Sequence, residues 1–298
     1  MRTLVTGGGG FIGAWILRAL AQEGFTPVVL DRAEDRSKVR EIAGRDFADS
    51  LEWVTADIAD TRAVVDAARG CERIVHLAGL LTPACKADPV LGAQVNLIGT
   101  LNAFLAARAH GMPSVIYMSS AGVFGPDGGP EPHPTTLYGA YKLASEHSAR
   151  AFREDHGIAS IGFRPYVVYG PGRDGGLSAG PTLACRAAAR GEAYTMPITG
   201  PFDMIHVADV AAAFLAAVRM PLDDAHVVNL LGHPTTADDV VAAIGRAVPG
   251  ARIDRAGDPL PIACPTSDAT LDRLFPDWRP ISVEDGLRAT IDFYRGQE

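Results

Sequence analysis

A tyrosine and a lysine stand four residues apart, at Tyr138 and Lys142, in a segment with helical periodicity. Residues i and i+4 of a helix project from one face, so these side chains would be neighbours. A free tyrosine has a pKa of about 10 and is a poor base at neutral pH, but an adjacent ammonium favours the phenolate. Lowering that pKa by ~3 units requires about 4 kcal/mol of differential stabilisation. Tyr138 could then accept the proton of a substrate hydroxyl.

Two serines, Ser119 and Ser120, follow an apolar run about 18 residues upstream of the tyrosine. Ligands of parallel sheets bind where strands end, so a hydroxyl there can hold a substrate oxygen against Tyr138. Taken alone, these residues also fit a pair of turn serines, and the tyrosine–lysine spacing is common by chance. Their meaning depends on the elements that would position them.

The first such element is a glycine-rich turn, which follows the apolar pair Leu4-Val5. Gly7, Gly10 and Gly13 are spaced three apart within it. A Cβ at Gly7 or Gly10 would obstruct a tight turn and the approach of a pyrophosphate, and Gly13 permits close packing of helix on strand. The N-terminus of the following helix offers N–H groups to phosphates. This turn predicts a dinucleotide site.

An acid supports this interpretation. The run Pro27-Val28-Val29-Leu30 reads as a second strand, and it ends at Asp31, 18 residues after Gly13. That is close to the roughly 20 residues expected for an acid that binds an adenosine ribose. Asp31 favours NAD over NADP because its charge would repel a 2′-phosphate, although Arg32 and Arg36 could partly offset that repulsion.

Strands and helices alternate along the first half of the chain. Strand signals lie near 51–54, 73–77, 114–118 and 160–163, and helical signals lie near 60–69, 88–110 and 135–156. This alternation predicts an α/β fold, a Rossmann-type doubly wound parallel sheet with a smaller C-terminal substrate-binding lobe. We expect residues 1–164 and about 203–219 to form the dinucleotide domain. Residues 165–202 and 220–298 would form the lobe, with substrate in the cleft between them.

Composition excludes several other classes of function. The chain has 298 residues and a net charge of −8, without a long run of one sign, which argues against nucleic acid or an anionic membrane as partner. We expect no membrane span, no signal peptide and a cytoplasmic location. The four cysteines, Cys71, Cys85, Cys185 and Cys264, lack C-x-x-C spacing and are expected to be reduced, and no metal site is indicated.

Taken together, these residues resemble the extended short-chain dehydrogenase/reductase superfamily. The resemblance rests on Thr6-Gly7-x-x-Gly10-x-x-Gly13, His76-Leu77-Ala78-Gly79, Asn96-x-x-Gly99-Thr100, Ser119-Ser120 and Tyr138-x-x-x-Lys142, in this order. Two further stretches are similar to its NAD-dependent epimerase/dehydratase branch, namely Arg164-Pro165 with Val168-Tyr169-Gly170-Pro171-Gly172, and Ile205-His206-Val207-Ala208-Asp209-Val210.

The resemblance implies a role for each matching residue. Ser120, Tyr138 and Lys142 would be catalytic, and Lys142 would also hold the nicotinamide ribose. The implied NAD contacts are Gly7, Gly10, Phe11, Ile12, Gly13, Asp31, Arg32, Asp57, Ile58, Leu77, Ala78, Gly79, Asn96, Tyr138, Lys142, Pro165 and Val167. The implied substrate contacts are Leu81, Thr82, Ser120, Ala121, Tyr166 and Arg173. Family members often dimerise through the two long helices, here 88–110 and 135–156.

Departures from the family pattern bear on the substrate. Sugar dehydratases of this branch carry an acid pair where this chain has Ala121-Gly122, so dehydration lacks its acid and base. Nucleotide-sugar enzymes usually have Asn at the position of Val167 and often Arg at that of Phe202. A buried diphosphate needs charged or amide donors, which these two residues do not offer. Arg173, Arg186 and Arg190 are the remaining candidate anion partners in the lobe.

Three hypotheses follow. The leading one is an NAD-dependent dehydrogenase that acts on a secondary alcohol or lactol of a small polar, sugar-like substrate, with Tyr138 as acid and base. The second is a nucleotide-sugar 4-epimerase with tightly bound NAD. The third is a non-catalytic dinucleotide sensor, against which the presence of Ser120, Tyr138 and Lys142 together argues.

Overall fold

The computed structural model describes residues 1–126, 131–263 and 267–297, so Cys264 lies outside the described residues. The chain forms two compact units. The first comprises Met1–Gly125, Glu131–Arg164 and Ala211–Val228, and the second comprises the described parts of Pro126–Pro130, Pro165–Val210 and Asn229–Glu298. The segment 203–219, expected in the first domain, divides between the units after Val210.

The strands of the described residues are β1 Arg2–Thr6, β2 Thr26–Asp31, β3 Glu52–Thr55, β4 Arg73–His76, β5 Ser114–Met118, β6 Ala159–Pro165, β7 Val167–Tyr169, β8 Tyr194–Met196, β9 Pro201–His206, β10 Ala225–Leu230, β11 His233–Thr236 and β12 Ile253–Arg255. The α-helices are α1 Phe11–Gln22, α2 Ser37–Ala43, α3 Arg45–Ser50, α4 Thr61–Ala67, α5 Thr82–Ala87, α6 Pro89–Ala93, α7 Gly99–Ala109, α8 Leu137–His156, α9 Gly180–Ala189, α10 Val207–Arg219, α11 Ala237–Ala247, α12 Ala269–Leu274 and α13 Val283–Arg295.

Seven strands form the main sheet in the order β10-β6-β5-β4-β1-β2-β3. The pairings of β1 with β2 and β4, of β2 with β3, and of β5 with β4 and β6 are all parallel. The carboxyl ends of these strands therefore share one edge. The strand order reverses between β1 and β4, and ligands of such sheets bind at that point. The predicted Rossmann-type architecture is confirmed.

Apolar strands explain why this sheet forms. The sequences of β1 and β2 are rich in β-branched residues and are buried on both faces, as parallel strands covered by helices must be. Leu4, Val28, Ile74 and Val115 lie within one core cluster, together with Phe104 from α7. This packing fixes the strand ends and hence the side chains that follow them.

The expected long helix at 88–110 is present, but it is not uniform. Residues Gln94–Ile98 form a π-helical turn between α6 and α7. The stretch Pro89–Ala109 is long and apolar enough to cross a membrane by length and composition alone, and half of its most apolar window is buried within the protein. Because α7 packs against α4, α8, β4 and β5, it serves here as a core helix of a folded unit.

The second unit has its own small sheets and core. Strands β11, β9 and β7 form a three-stranded sheet, and β12 pairs with β8. The core around this sheet includes Tyr169, Met204, Val240 and Ile291, with contributions from α9, α11 and α13. The expected smaller lobe thus has an apolar centre of its own.

Candidate active site

The glycine turn after β1 is shaped by backbone contacts that leave no room for side chains. Gly7 has a φ of +71°, and a Cβ there would lie 2.7 Å from the backbone nitrogen of Ala78. A Cβ on Gly13 would lie 2.6 Å from the carbonyl oxygen of Gly7. Gly10 is the N-cap of α1 and has no side chain to offer to the first N–H groups of this helix. The turn fits the pyrophosphate of a dinucleotide.

The acid predicted to bind ribose lies beside this turn. The carboxylate of Asp31 accepts hydrogen bonds from the N–H of Gly9 at 3.1 Å and of Arg32 at 2.8 Å. The side chain of Arg32 is exposed. Arg36 is held elsewhere, because its guanidinium donates to the carbonyls of Ala48 and Leu51. Of the two arginines considered as partners for a 2′-phosphate, Arg36 is therefore already committed.

The end of β4 is tied to the end of β1 by buried polar groups. His76 bonds the hydroxyl of Thr6 at 2.8 Å and that of Thr100 at 3.1 Å. Burial lowers the pKa of His76 to about 3, helped by the nearby ammonium of Lys142, so the imidazole is neutral. These bonds set the loop Leu77-Ala78-Gly79 beside the glycine turn, with the N–H of Leu77 on the carbonyl of Thr6 at 3.0 Å.

Asn96, one of the expected cofactor contacts, is bound within the protein. It is fully buried in the π-helical turn, and its amide nitrogen donates to the carbonyls of Leu80 and Gly92 and to the sulfur of Cys85. Its oxygen accepts the N–H of Leu80 at 3.1 Å. The side-chain amide of Asn96 therefore holds the loop after β4 in place.

The structure brings Ser120 and Tyr138 to the same glycine. Ser120 follows β5 and accepts the N–H of Gly122 at 3.0 Å. A Cβ on Gly122 would lie 3.2 Å from the Ser120 hydroxyl and 3.4 Å from the Tyr138 ring. On the other side, a Cβ on Gly139 would lie 2.0 Å from the carbonyl oxygen of Gly122. Both glycines are needed for this approach, and we did not single them out from the sequence.

Tyr138 is half-buried in the first turn of α8, which Thr136 caps by accepting the N–H of Gly139 at 3.1 Å. The partial positive charge of a helix N-terminus favours an anion there. One turn later, the ammonium of Lys142 lies 5.9 Å from the centre of the tyrosine ring. The predicted i, i+4 pair is thus formed, and two sources of positive charge act on the phenol.

Lys142 is 3% exposed and donates to the carbonyl of Met118 at 2.8 Å. Burial lowers its pKa to about 8, against smaller opposing effects from Cys85 and Glu146. A Cβ on Gly79 would lie 3.5 Å from the ammonium, so Lys142 also reaches the loop after β4. It therefore sits between the two strand ends where the cofactor and the reacting group were expected.

A buried ion pair under this helix was missed by the sequence analysis. Glu146, one turn after Lys142, is 6% exposed and receives both the Nε of Arg164, at 2.7 Å, and its Nη2. The hydroxyl of Ser119 also donates to Glu146. No sequence spacing links Glu146 to Arg164, because the two residues lie on different elements, α8 and β6. They meet only in the folded protein.

The remaining predicted residues of the first unit lie around this edge. Ile58 is buried, and its carbonyl accepts from the amide of Asn102 at 2.8 Å, whereas Asp57 is exposed. Leu81 and Thr82, at the start of α5, are exposed, and Ala121 is buried beside Ser120. No group of three or more metal-binding side chains occurs among the described residues.

Pro165, Tyr166, Val167 and Arg173 belong to the second unit. Val167 begins β7, where it pairs with Met204 of β9 and is buried. The Tyr166 hydroxyl donates to the carbonyl of Ile262, and Arg173 donates to the hydroxyl of Ser178 at 2.7 Å. These contacts describe that unit alone.

The second unit contains a cavity of about 370 Å³. Apolar side chains dominate its described lining, which includes Tyr166, Phe202, Leu231, Leu260 and Ile262. Among its described lining residues none is cationic, and the sole carboxylate is Asp203. That carboxylate is 8% exposed and accepts the N–H of Gly232 at 3.0 Å. Burial raises its pKa to about 6.

The model of the NAD-dependent epimerase/dehydratase family matches residues 3–230. The chain belongs to this family. It is 30% identical to a UDP-glucose 4-epimerase of Mycolicibacterium smegmatis, over all of this chain and 99% of that protein. The recognition made from the motifs, as an extended short-chain dehydrogenase/reductase of this branch, is confirmed.

Solved structures agree with this assignment. A UDP-glucose 4-epimerase from Thermus thermophilus, in complex with NAD, has a TM-score of 0.82 with 28% identity and covers 99% of each chain. An L-threonine dehydrogenase from Cupriavidus necator has a TM-score of 0.87 over 98% of this chain, and at 21% identity it shows the fold alone. The protein is an enzyme of the extended short-chain dehydrogenase/reductase type, and the cofactor of its family is NAD.

Proposed function

We propose that this enzyme is an NAD-dependent oxidoreductase that interconverts a secondary alcohol or lactol and its carbonyl form. The proposal rests on one observation, the joint placement of Ser120 and Tyr138 at Gly122, with the ammonium of Lys142 5.9 Å from the tyrosine ring. When bound, NAD supplies the hydride acceptor for oxidation and, once reduced, the donor for the reverse reaction. A sensor that only bound the dinucleotide would not require all three side chains.

Each of these side chains has a distinct task. The hydroxyl of Ser120 holds the substrate oxygen, and Tyr138 takes the hydroxyl proton during oxidation and returns it during reduction. Lys142 and the N-terminus of α8 favour the phenolate form of Tyr138. Because the pKa of Lys142 is about 8, the ammonium is largely charged at neutral pH. Lys142 would also hold the nicotinamide ribose.

NAD would be held by the glycine turn and by the loops that follow β2, β3 and β4. The crowded Gly7 and Gly13 and the glycine N-cap of α1 fit the pyrophosphate, and Asp31 fits the adenosine ribose. The commitment of Arg36 to backbone carbonyls removes one cation that could have received a 2′-phosphate. These observations support NAD over NADP for this chain.

The substrate would be a small polar compound, such as a sugar or sugar acid, without a nucleotide. The support is the cavity of the second unit, where Phe202 and Asp203 stand and none of the described lining residues is cationic. A diphosphate carries about two negative charges. Burying it beside a carboxylate, without a cation to pair with it, costs several kcal/mol. A hydroxyl-rich or neutral group can instead donate a hydrogen bond to Asp203.

A nucleotide-sugar 4-epimerase is the second candidate. It is favoured by the full-length similarity to the M. smegmatis enzyme, whose name states that activity. Such an enzyme uses the same tyrosine and serine, and it returns the hydride to the opposite face of the transient ketone. The two candidates therefore differ in the substrate and in whether reduced cofactor is released.

One experiment separates these readings. The purified enzyme is incubated with NAD and a panel of sugars, sugar acids and nucleotide sugars, and both reduced cofactor and isomerised product are measured. Net reduction of NAD with a free sugar supports the dehydrogenase. Isomerisation of a nucleotide sugar without net reduction supports the epimerase, and failure of both leaves a sensor. Thermal shift with UDP, UDP-glucose and free sugars, in the presence of NAD, checks the substrate class independently.

We also propose a homodimer and a cytoplasmic location. Apolar side chains are exposed along the first turns of the long helix and at the start of α8, including Val90 at 68%, Leu91, Ile98 and Leu137. Cys71, Cys85 and Cys185 are free thiols, as a reducing compartment allows. Analytical ultracentrifugation of wild-type and Val90→Asp protein tests the dimer, since a charge in that interface should favour the monomer.

A further inference from the structure

The catalytic helix carries more charge than the reaction mechanism uses. Lys142 and Glu146 lie one turn apart on α8, and both are almost completely buried. Arg164, from the end of β6, meets the glutamate with two nitrogens. Burying three ionised groups costs desolvation free energy that apolar side chains of similar size would not cost. This comparison indicates a role other than stability.

Met118 and Ser119, at the end of β5, are each held by a different residue of α8. The carbonyl of Met118 accepts from Lys142 at 2.8 Å. The hydroxyl of Ser119 donates to Glu146, while the Ser119 N–H donates to the carbonyl of Phe163 at 2.8 Å. Ser120 comes next in the chain, so the position of its hydroxyl depends on the two bonds immediately before it.

The charges also set the field at Tyr138. If Glu146 stood beside Lys142 without Arg164, the carboxylate would offset the ammonium and weaken its effect on the phenol. Arg164 neutralises the carboxylate, so the group as a whole keeps one net positive charge. That charge lies on the side of Tyr138, because the ammonium is one turn from the phenol and the ion pair is two turns from it.

We propose that Glu146 and Arg164 are positioning residues, which hold the Ser119-Ser120 backbone in register and leave the charge of Lys142 free to act on Tyr138. Neither residue needs to touch the substrate for this role. The inference deepens the proposed function and depends on it, since it assumes that Tyr138 is the acid and base.

The other titratable groups around Lys142 and the ion pair carry no charge near pH 7. The groups of the described first unit that face Lys142 or its ion pair are Tyr138, Glu146, His76, Cys85, Arg164 and Tyr117. Burial lowers the pKa of His76 to about 3 and raises the pKa values of Cys85 and Tyr117. All three are neutral near pH 7, so Lys142, Glu146 and Arg164 are the charged members of this group.

The test is the titration of Tyr138, followed by ultraviolet phenolate absorbance as the difference between each protein and the same protein with Tyr138→Phe. Glu146→Gln keeps an acceptor for Ser119 but leaves Arg164 as an added positive charge, because arginine does not deprotonate. The midpoint should then fall by on the order of one pH unit, as expected for one charge about 12 Å away at an effective dielectric constant of about 20. Glu146→Asp, which keeps the charge, should stay near wild type.

The double variant Glu146→Gln, Arg164→Met decides between a charge effect and a packing effect. It removes one negative and one positive charge, so the midpoint should return towards the wild-type value. Ser119→Ala removes the hydroxyl bond without changing charge and should leave the midpoint in place. If Glu146→Gln does not shift the midpoint, or if the double variant keeps its shift, the proposal is wrong.

Folding of the variants does not limit this test. If Glu146→Gln does not fold, Arg164→Met takes its place. This variant leaves the Glu146 carboxylate beside Lys142 without its partner, so the midpoint of the Tyr138 titration should rise. An unchanged midpoint overturns the proposal. The acid limb of the pH–rate profile with NAD should move in the same direction as the phenolate titration. If Tyr138→Phe keeps full turnover, the proposed function fails, while the phenolate titration still tests the charge arrangement.

Discussion

The two units of this chain place their polar groups in opposite ways. In the first unit, hydrogen bonds of Thr6 join the ends of β1 and β4 through His76 and Leu77, and Lys142 donates to the end of β5. In the second unit, a cavity of about 370 Å³ is lined mainly by apolar side chains around one buried carboxylate, Asp203. Chemistry common to a family is built from fixed polar groups at strand ends. Under the proposed function, the second unit would set the choice of substrate through the polar groups that its cavity lacks.

The largest expected effect lies at the centre of the first unit. Tyr138→Phe keeps the ring and removes the proton acceptor, so turnover should fall by roughly 10²–10⁴-fold while NAD still binds. Steady-state kinetics and an NAD titration measure the two quantities. Tyr141→Phe is the matched control, because that hydroxyl lies on the same helix and donates to the carbonyl of Pro89. Near wild-type turnover in Tyr138→Phe would remove the residue from its role.

A pair of glycines compares the tolerance of the two units directly. A Cβ on Gly139 would lie 2.0 Å from the Gly122 carbonyl, whereas a Cβ on Gly245 in α11 meets no atom within 4 Å. Gly139→Ala should cost roughly 3 kcal/mol or more in the free energy of unfolding and lower turnover as well. Gly245→Ala should stabilise by up to about 1 kcal/mol through helix propensity. Denaturant unfolding checks both, and equal effects would contradict the proposed tight contact under Tyr138.

Substitution of Asp31 tests whether this carboxylate binds the adenosine ribose of NAD. Asp31→Asn loses a charged acceptor, so NAD affinity should fall by about 10–100-fold, which corresponds to one charge-assisted hydrogen bond. NADP affinity should fall less, because the repulsion of its 2′-phosphate is also removed. Titrations with both dinucleotides give the ratio. A wild-type protein that bound NADP more tightly would overturn the preference for NAD.

The first unit was largely predictable because its signals are local. The strand, glycine turn, helix and acid follow one another within about 30 residues, and the pair Tyr138 and Lys142 needs only helical spacing. Glu146 and Arg164 could not be joined in this way, since they lie on different elements and meet through packing. The inward turn of Asn96 depends on the π-helical turn at Gln94–Ile98, which periodicity does not reveal.

The second unit was harder to predict for a physical reason. Its strands are three to six residues long, and the cavity is lined by segments that are far apart in sequence, such as those around Phe202, Leu231 and Leu260. No spacing rule connects them. Phe202 and Val167 could be noted as unusual only through the family resemblance, and Asp203 was not noted at all.

The last expected effect concerns that carboxylate and tests whether the cavity around it is poorly solvated. Burial raises the pKa of Asp203 from 3.8 to about 6, so the folded state prefers the protonated acid. The folded protein then binds more protons than the unfolded chain between those values, and stability contributed by this group is lost as pH rises through that window. Asp203→Asn keeps an acceptor for Gly232 and carries no charge. Its stability relative to wild type should therefore increase between about pH 4 and pH 7, by up to about 3 kcal/mol, and then level off. Thermal unfolding over this range measures the difference, with Asp258→Asn as an exposed control in the same unit.

A stability difference that stays constant with pH would show that the carboxylate is well solvated. The cavity would then accept charged groups more readily, which would strengthen the case for a nucleotide-sugar substrate.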